Sequence, residues 1–273
     1  MRDAVELTVH TDDGVVLAGE QSGEGPPIVL LHGLTATRRY VVMGSTVLER
    51  SGHRVIAFDA RGHGASSPAP DRGAYGYERL SDDLEAVLDA LDVERVVLAG
   101  ASMGAHTAVR FALTQPERVA ALGLITPAFD PDLPAGPEAF AGWDALARGL
   151  REGGVEGFVA AYDFSETPDA WRETVEKVLR QRLSAHEYPL AVADALEGVP
   201  RSRPFESIDE LAGIDVPTIV LASRDEADPS HPLAVGECYA ATIPRATLVV
   251  EEPGGSPIAW QGGRLSKVLA ELA

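Results

Sequence analysis

Gly100-Ala101-Ser102-Met103-Gly104 joins a short apolar run at 95–99 to a helical stretch at 103–114, with Ser102 at the junction. A serine on so sharp a strand-to-helix turn is presented as a nucleophile, provided that its neighbours are small, and Gly100 and Gly104 meet that need. The backbone N–H of Met103, at the start of the helix, then points toward negative charge developing on an attacked carbonyl, aided by the positive end of the helix dipole. The chemistry these residues allow is acyl transfer. It requires a base that takes the serine proton and returns it to the leaving group, and a carboxylate that orients that base.

The surrounding elements must hold such a turn still. Alternating stretches at 5–10 and 15–20 flank Asp12-Asp13-Gly14 and read as an opening hairpin. Apolar runs at 27–31 and 54–58 read as strands buried on both faces, and those at 95–99, 120–125, 217–222 and 246–250 as further strands. Helices are expected at 40–51, 80–91, 103–114, 232–243 and 263–272. This alternation predicts an α/β fold: a mostly parallel eight-stranded sheet with helices on both faces. Between 127 and 204 it stops, and helices at 137–152, 171–184 and 190–196 follow one another without a strand. The block reads as a helical cap inserted after the sixth strand, over the sheet edge where open α/β sheets bind ligands. The expected division is a core of 1–126 and 205–273 with a cap of 127–204.

Composition narrows the partners. With 42 acidic against 23 basic residues the net charge is −19, a field that repels phosphate backbones and anionic lipids. Neither nucleic acid nor membrane is expected as a partner. No run approaches the ~20 apolar residues of a membrane span, and the acidic start Met1-Arg2-Asp3-Ala4-Val5-Glu6 does not read as a signal peptide. The single cysteine, Cys238, has no internal partner, which fits a reducing cytoplasm, and its place in the helix at 232–243 reads as packing. No metal-ligand spacing and no G-x-G-x-x-G fingerprint is evident, so neither a metal nor a cofactor is expected. Oligomeric state is not legible.

With its elbow in this strand–helix context, the sequence resembles the α/β-hydrolase family over nearly its whole length. Leu31-His32-Gly33-Leu34 is similar to the family's oxyanion loop, which implies the Leu34 N–H as a second oxyanion donor beside that of Met103. Asp59-Ala60-Arg61-Gly62-His63-Gly64-Ala65-Ser66 is similar to a structural turn of the family, and the helical block lies where the family carries its lid. The resemblance implies an acid after the seventh strand, where the chain reads Ser223-Arg224-Asp225-Glu226-Ala227-Asp228-Pro229-Ser230-His231-Pro232. Distance from the strand end points to Asp225 or Glu226, and the D-P-x-x-P setting to Asp228. Asp130, after the sixth strand, is a position that some members use.

The resemblance also implies a histidine after the eighth strand. Here Gly254-Gly255-Ser256-Pro257 stands in that place, and no histidine follows His231. His231, on the acid loop, is the best substitute. His186, in the cap, could overhang the site. His106, one helical turn beyond Ser102, reads as a packed core group, His32 and His63 as structural, and His10 and His53 as structural or surface groups. Two functions remain. One is a serine-dependent hydrolase of a small or medium apolar ester, lactone or related acyl substrate, with Phe140, Trp143, Phe158, Tyr162 and Phe164 offered by the lid. The other is a non-hydrolytic protein of the same fold that binds a small apolar ligand or performs non-acyl chemistry. A serine at the elbow argues against the aspartate-based dehalogenase and epoxide hydrolase chemistries of the fold.

Overall fold

The computed structural model describes residues 4–133, 136–165, 167–226, 228–254, 260 and 262–272. The chain opens with an antiparallel hairpin, β1 (Val5–His10) and β2 (Val16–Ser22), turned at Gly14 with φ 86°. There follow β3 (Pro27–Leu31), α1 (Val47–Arg50), β4 (Arg54–Phe58), α2 (Tyr77–Ala90), β5 (Val96–Ala101), α3 (Met103–Thr114) and β6 (Val119–Ile125). Three helices, α4 (Pro137–Ala161), α5 (Asp169–Leu183) and α6 (Pro189–Gly198), then intervene before β7 (Thr218–Ala222), α7 (Leu233–Thr242), β8 (Ala246–Val250) and α8 (Gly262–Leu269). The eight strands form one sheet in the order β1-β2-β4-β3-β5-β6-β7-β8, antiparallel up to the β2–β4 pair and parallel from β4 onward.

The central strands read as unbroken apolar runs because both faces are covered. On one face Val29, Leu98 and Leu122 pack with Leu84 and Leu88 of α2, Ala108 and Phe111 of α3 and Tyr239 of α7. On the other, Ile28, Leu30 and Val97 pack with Leu48 of α1 and Leu265 and Leu269 of α8. The block between β6 and β7 has its own core, where Leu150 and Phe158 meet Leu179, Leu183 and Leu196.

Four local expectations need correction. The helix expected at 40–51 shrinks to a 3-10 turn at Arg38–Tyr40 and the single turn of α1. Met43 and Gly44 lie between them at φ 49° and 71°, and left-handed residues cannot continue a helix. The helix expected at 137–152 runs on to Ala161 across a break at Gly154 (φ 60°, ψ −145°), where the chain folds back so closely that a Cβ on Gly149 would lie 2.4 Å from the Gly157 carbonyl oxygen. The last helix ends at Leu269 instead of 272. Cys238 is exposed, because Tyr239 occupies the inward position of α7.

Candidate active site

The β5–α3 junction carries Ser102 at φ 50°, ψ −112°, a backbone conformation that costs on the order of 1–3 kcal/mol and needs support from both sides. On the strand side the Ser102 amide still donates to Ile125 O (2.9 Å), and on the helix side Ser102 O accepts from the His106 amide (3.1 Å). The two glycines are required by crowding. A Cβ on Gly100 would lie 2.2 Å from Gly104 O, and one on Gly104 would lie 2.2 Å from Leu31 O. Backbone thus packs on backbone at the elbow, and the Ser102 side chain is left facing a cavity of about 740 Å³.

Asp228-Pro229-Ser230-His231 forms a tight turn closed by the His231 amide donating to Asp228 O (3.2 Å). Asp at the first position and Pro at the second is the composition such turns favour. The turn aims both side chains at Ser102. The serine hydroxyl donates to His231 Nε2 (2.9 Å), and His231 Nδ1–H donates to Asp228 Oδ2 (2.8 Å). Ser230 Oγ donates to the other carboxylate oxygen (2.6 Å). Burial pushes the Asp228 carboxyl up, but the adjacent imidazole and the bonds from His231 and Ser230 outweigh it and hold the group below its ordinary range. Upstream, the loop is anchored by buried Glu251, which accepts from the Arg224 amide (2.7 Å) and from Trp260 Nε1 (3.1 Å).

The other acid candidates are engaged elsewhere. Asp225 Oδ1 accepts from the Leu233 amide (2.7 Å) and so caps the start of α7, and Glu226 is exposed. Asp130 lines the cavity with Oδ1 taken by the Asp132 amide (2.9 Å). Gly255 to Pro257, where the resemblance places a histidine, lie outside the described residues.

Leu34 and Met103 line the same cavity as Ser102, and neither backbone N–H has an acceptor among the described residues. Free amides facing a nucleophile are what an oxyanion site consists of. The Leu34 loop is held in shape by histidines. His32 Nδ1–H donates to Gly33 O (2.9 Å) while its Nε2 accepts from the Ala60 amide (2.9 Å). His186, from the segment between α5 and α6, accepts from the Gly64 amide at Nδ1 (2.8 Å) and donates from Nε2 to Thr35 O (3.0 Å). It therefore braces the loop, which bends through Thr35 at φ 71°, and does not reach Ser102. His63 stacks between His32 and His186, with centroids 5.2 and 5.5 Å away. His106 accepts from the Ala128 and Phe129 amides (3.0 and 3.1 Å), and burial, with the nearby His231, lowers its pKa to about 3. His53 is buried and His10 exposed.

Phe140, Trp143, Phe158 and Tyr162 line the cavity from α4 and the residue after it, whereas Phe164 packs into the core of the block and against the Tyr162 ring (4.7 Å). Sequence reading missed Tyr40, Arg182 and Trp260, which also line it. Arg182 had a signal, since it continues the α5 stripe Val175, Val178 and Leu179 at helical spacing. Among the described residues no group of three His, Cys, Asp or Glu side chains could hold a metal ion, and no helix is long and apolar enough to cross a membrane.

Comparison with known proteins agrees with the fold. A family model described as alpha/beta hydrolase fold matches residues 26–262. A 2-hydroxy-6-oxononadienedioate/2-hydroxy-6-oxononatrienedioate hydrolase of Pseudomonas putida is 32% identical over 94% of this chain and 88% of its own. An esterase from Thermogutta terrifontis is 30% identical with a TM-score of 0.75, over 98% of this chain and 97% of its own. A hydrolase from Pseudomonas aeruginosa PA01 is 30% identical with a TM-score of 0.71, over 90% and 89%.

Proposed function

Because the chain belongs to the α/β-hydrolase fold family, we propose that it is a serine-dependent hydrolase of small or medium apolar esters, lactones or related acyl substrates, with Ser102 as nucleophile, His231 as base and Asp228 as acid. The observation that carries the reading is the unbroken chain of hydrogen bonds from Ser102 Oγ through the imidazole to Asp228 Oδ2, 2.9 and 2.8 Å long. Ser102 Oγ attacks the substrate carbonyl carbon and passes its proton to His231 Nε2. The tetrahedral oxyanion accepts from the Leu34 and Met103 amides, at the positive end of α3. Collapse expels the alcohol, which takes the proton back from Nε2, and water repeats the sequence on the acyl-enzyme. Asp228 stays ionised and holds Nδ1–H, so the Nε2 lone pair faces the serine. Residues 127–204 act as the lid, closing an aromatic-lined cavity over the acyl group. The named hydrolase and esterase relatives support the reaction class.

The test is p-nitrophenyl butyrate turnover by the native protein, Ser102→Ala and His231→Ala. Loss of the base is expected to cost on the order of 10⁶ in kcat. Steady turnover that survives in His231→Ala would remove the histidine from the mechanism, and no reaction in the native protein with any acyl substrate would remove the hydrolase reading.

A further inference from the structure

Val175, Val178, Leu179 and Arg182 share one face of α5, spaced i, i+3, i+4 and i+7, and all four line the cavity that opens on Ser102 and His231. The first three are what a wall over an apolar substrate requires. An arginine in the fourth place, half-buried, is out of keeping with that wall, because a cation drawn partly out of water needs a partner. Arg182 has little. Its Nε is buried without a hydrogen-bond partner, and among the described residues no carboxylate pairs with its guanidinium. Its guanidinium lies over an aromatic face, Cζ 5.6 Å from the Tyr40 ring centroid. Burial lowers its pKa in spite of Tyr40, Asp228 and Tyr162 nearby.

The other arginines of the cavity are matched. Arg201 pairs with Asp144 (2.8 Å) and Arg203 with Glu206 (2.9 Å). The lining carboxylates are also committed: Asp228 to His231 and Ser230, Asp130 to the Asp132 amide, and Asp163 to the Ser165 amide (2.8 Å). In a chain with 42 acidic residues, a half-buried arginine that lines the reaction cavity has no carboxylate partner among the described residues.

We infer that Arg182 docks a carboxylate carried by the substrate itself, remote from the bond that is cleaved, so that the enzyme's preferred substrates are anionic esters or lactones. The inference rests on the hydrolase reading above. A guanidinium fork presents paired donors that match a carboxylate, and the apolar stripe beside it would hold the methylenes between that carboxylate and the reacting carbonyl. The overall charge of −19 repels such substrates at long range, which makes a local cation more necessary. A cation–π clamp onto Tyr40 would use the face of the guanidinium and leave the N–H donors along its edge without an acceptor among the described residues.

The experiment compares kcat/KM for monomethyl glutarate, adipate and pimelate with that for methyl pentanoate, in the native protein, Arg182→Met and Arg182→Lys. A charge-assisted bond of ordinary strength corresponds to a preference of roughly 10- to 100-fold for the best monoester. That preference is expected to fall to near unity in Arg182→Met and to be partly kept in Arg182→Lys. No preference in the native protein, or equal loss on charged and neutral esters in Arg182→Met, overturns the inference while leaving the hydrolase reading intact. Adipate binding to Ser102→Ala protein, measured by calorimetry at constant ionic strength, is independent of turnover. Binding weakened at least about tenfold by adding Arg182→Met supports the anion site even if no ester is cleaved, and unchanged or absent binding overturns it.

Discussion

A carboxylate that orients a base must reach the imidazole nitrogen turned away from the serine, whereas one that caps a helix must reach a backbone amide. Asp228 does the first and Asp225 the second, so their neutral amides should fail differently. Asp228→Asn is expected to lower kcat by about 10⁴, because an amide at that position favours the wrong tautomer of His231. Asp225→Asn should leave kcat within a few-fold and at most reduce stability by about 1 kcal/mol, read from the urea midpoint. The reverse pattern would assign the acid to Asp225. Distance from the strand end points to Asp225 or Glu226 and away from Asp228. The Asp-Pro pair that starts a turn is the local signal separating them, since the turn fixes which carboxylate sits beside His231.

The elements that carry these residues were legible to different depths. Parallel strands covered on both faces read as continuous apolar runs, so β3 to β7 could be placed within a residue or two, as could the half-buried edge strand β8, and the small-residue spacing of the elbow follows from backbone contact at Gly100 and Gly104. The Met43-Gly44 interruption and the fold-back at Gly154 were not, because each depends on what lies opposite in space. His186 is of the same kind. It is read from sequence as a group that could overhang the site, yet its Nε2–H serves the loop that presents Leu34 and its Nδ1 accepts from the Gly64 amide of the neighbouring turn. His186→Ala leaves Gly64 N–H and Thr35 O without partners, at about 1–3 kcal/mol for each buried group. The variant should show a lower urea midpoint and a kcat reduced more than KM is raised, since the oxyanion donor is displaced while the substrate walls remain. An unchanged kcat would make the brace purely a matter of stability.

For the molecule as a whole, His32, His63, His106 and His186 are buried, and burial lowers the pKa of each. Below about pH 6.5 the unfolded chain binds protons that the native state refuses, so stability must fall as pH falls, for His106 down to about 3. Each such group contributes up to about 1.4 kcal/mol per pH unit in that window. Relief of self-repulsion on approaching the pI of 4.7 acts the other way, but it comes mainly from carboxylates that titrate nearer pH 4. The urea midpoint is therefore expected to drop between pH 7 and 5, and a flat or rising profile there would mean that these imidazoles are not held neutral. The turn at Asp228-Pro229-Ser230-His231 has a mechanical consequence of its own. When base and acid stand on separate loops, two independent displacements can unseat them as the scaffold breathes. Here the separation of the proposed base and acid is fixed by one closed turn and travels with it, so only one coordinate, the approach of that turn to the elbow, is left for the rest of the protein to hold.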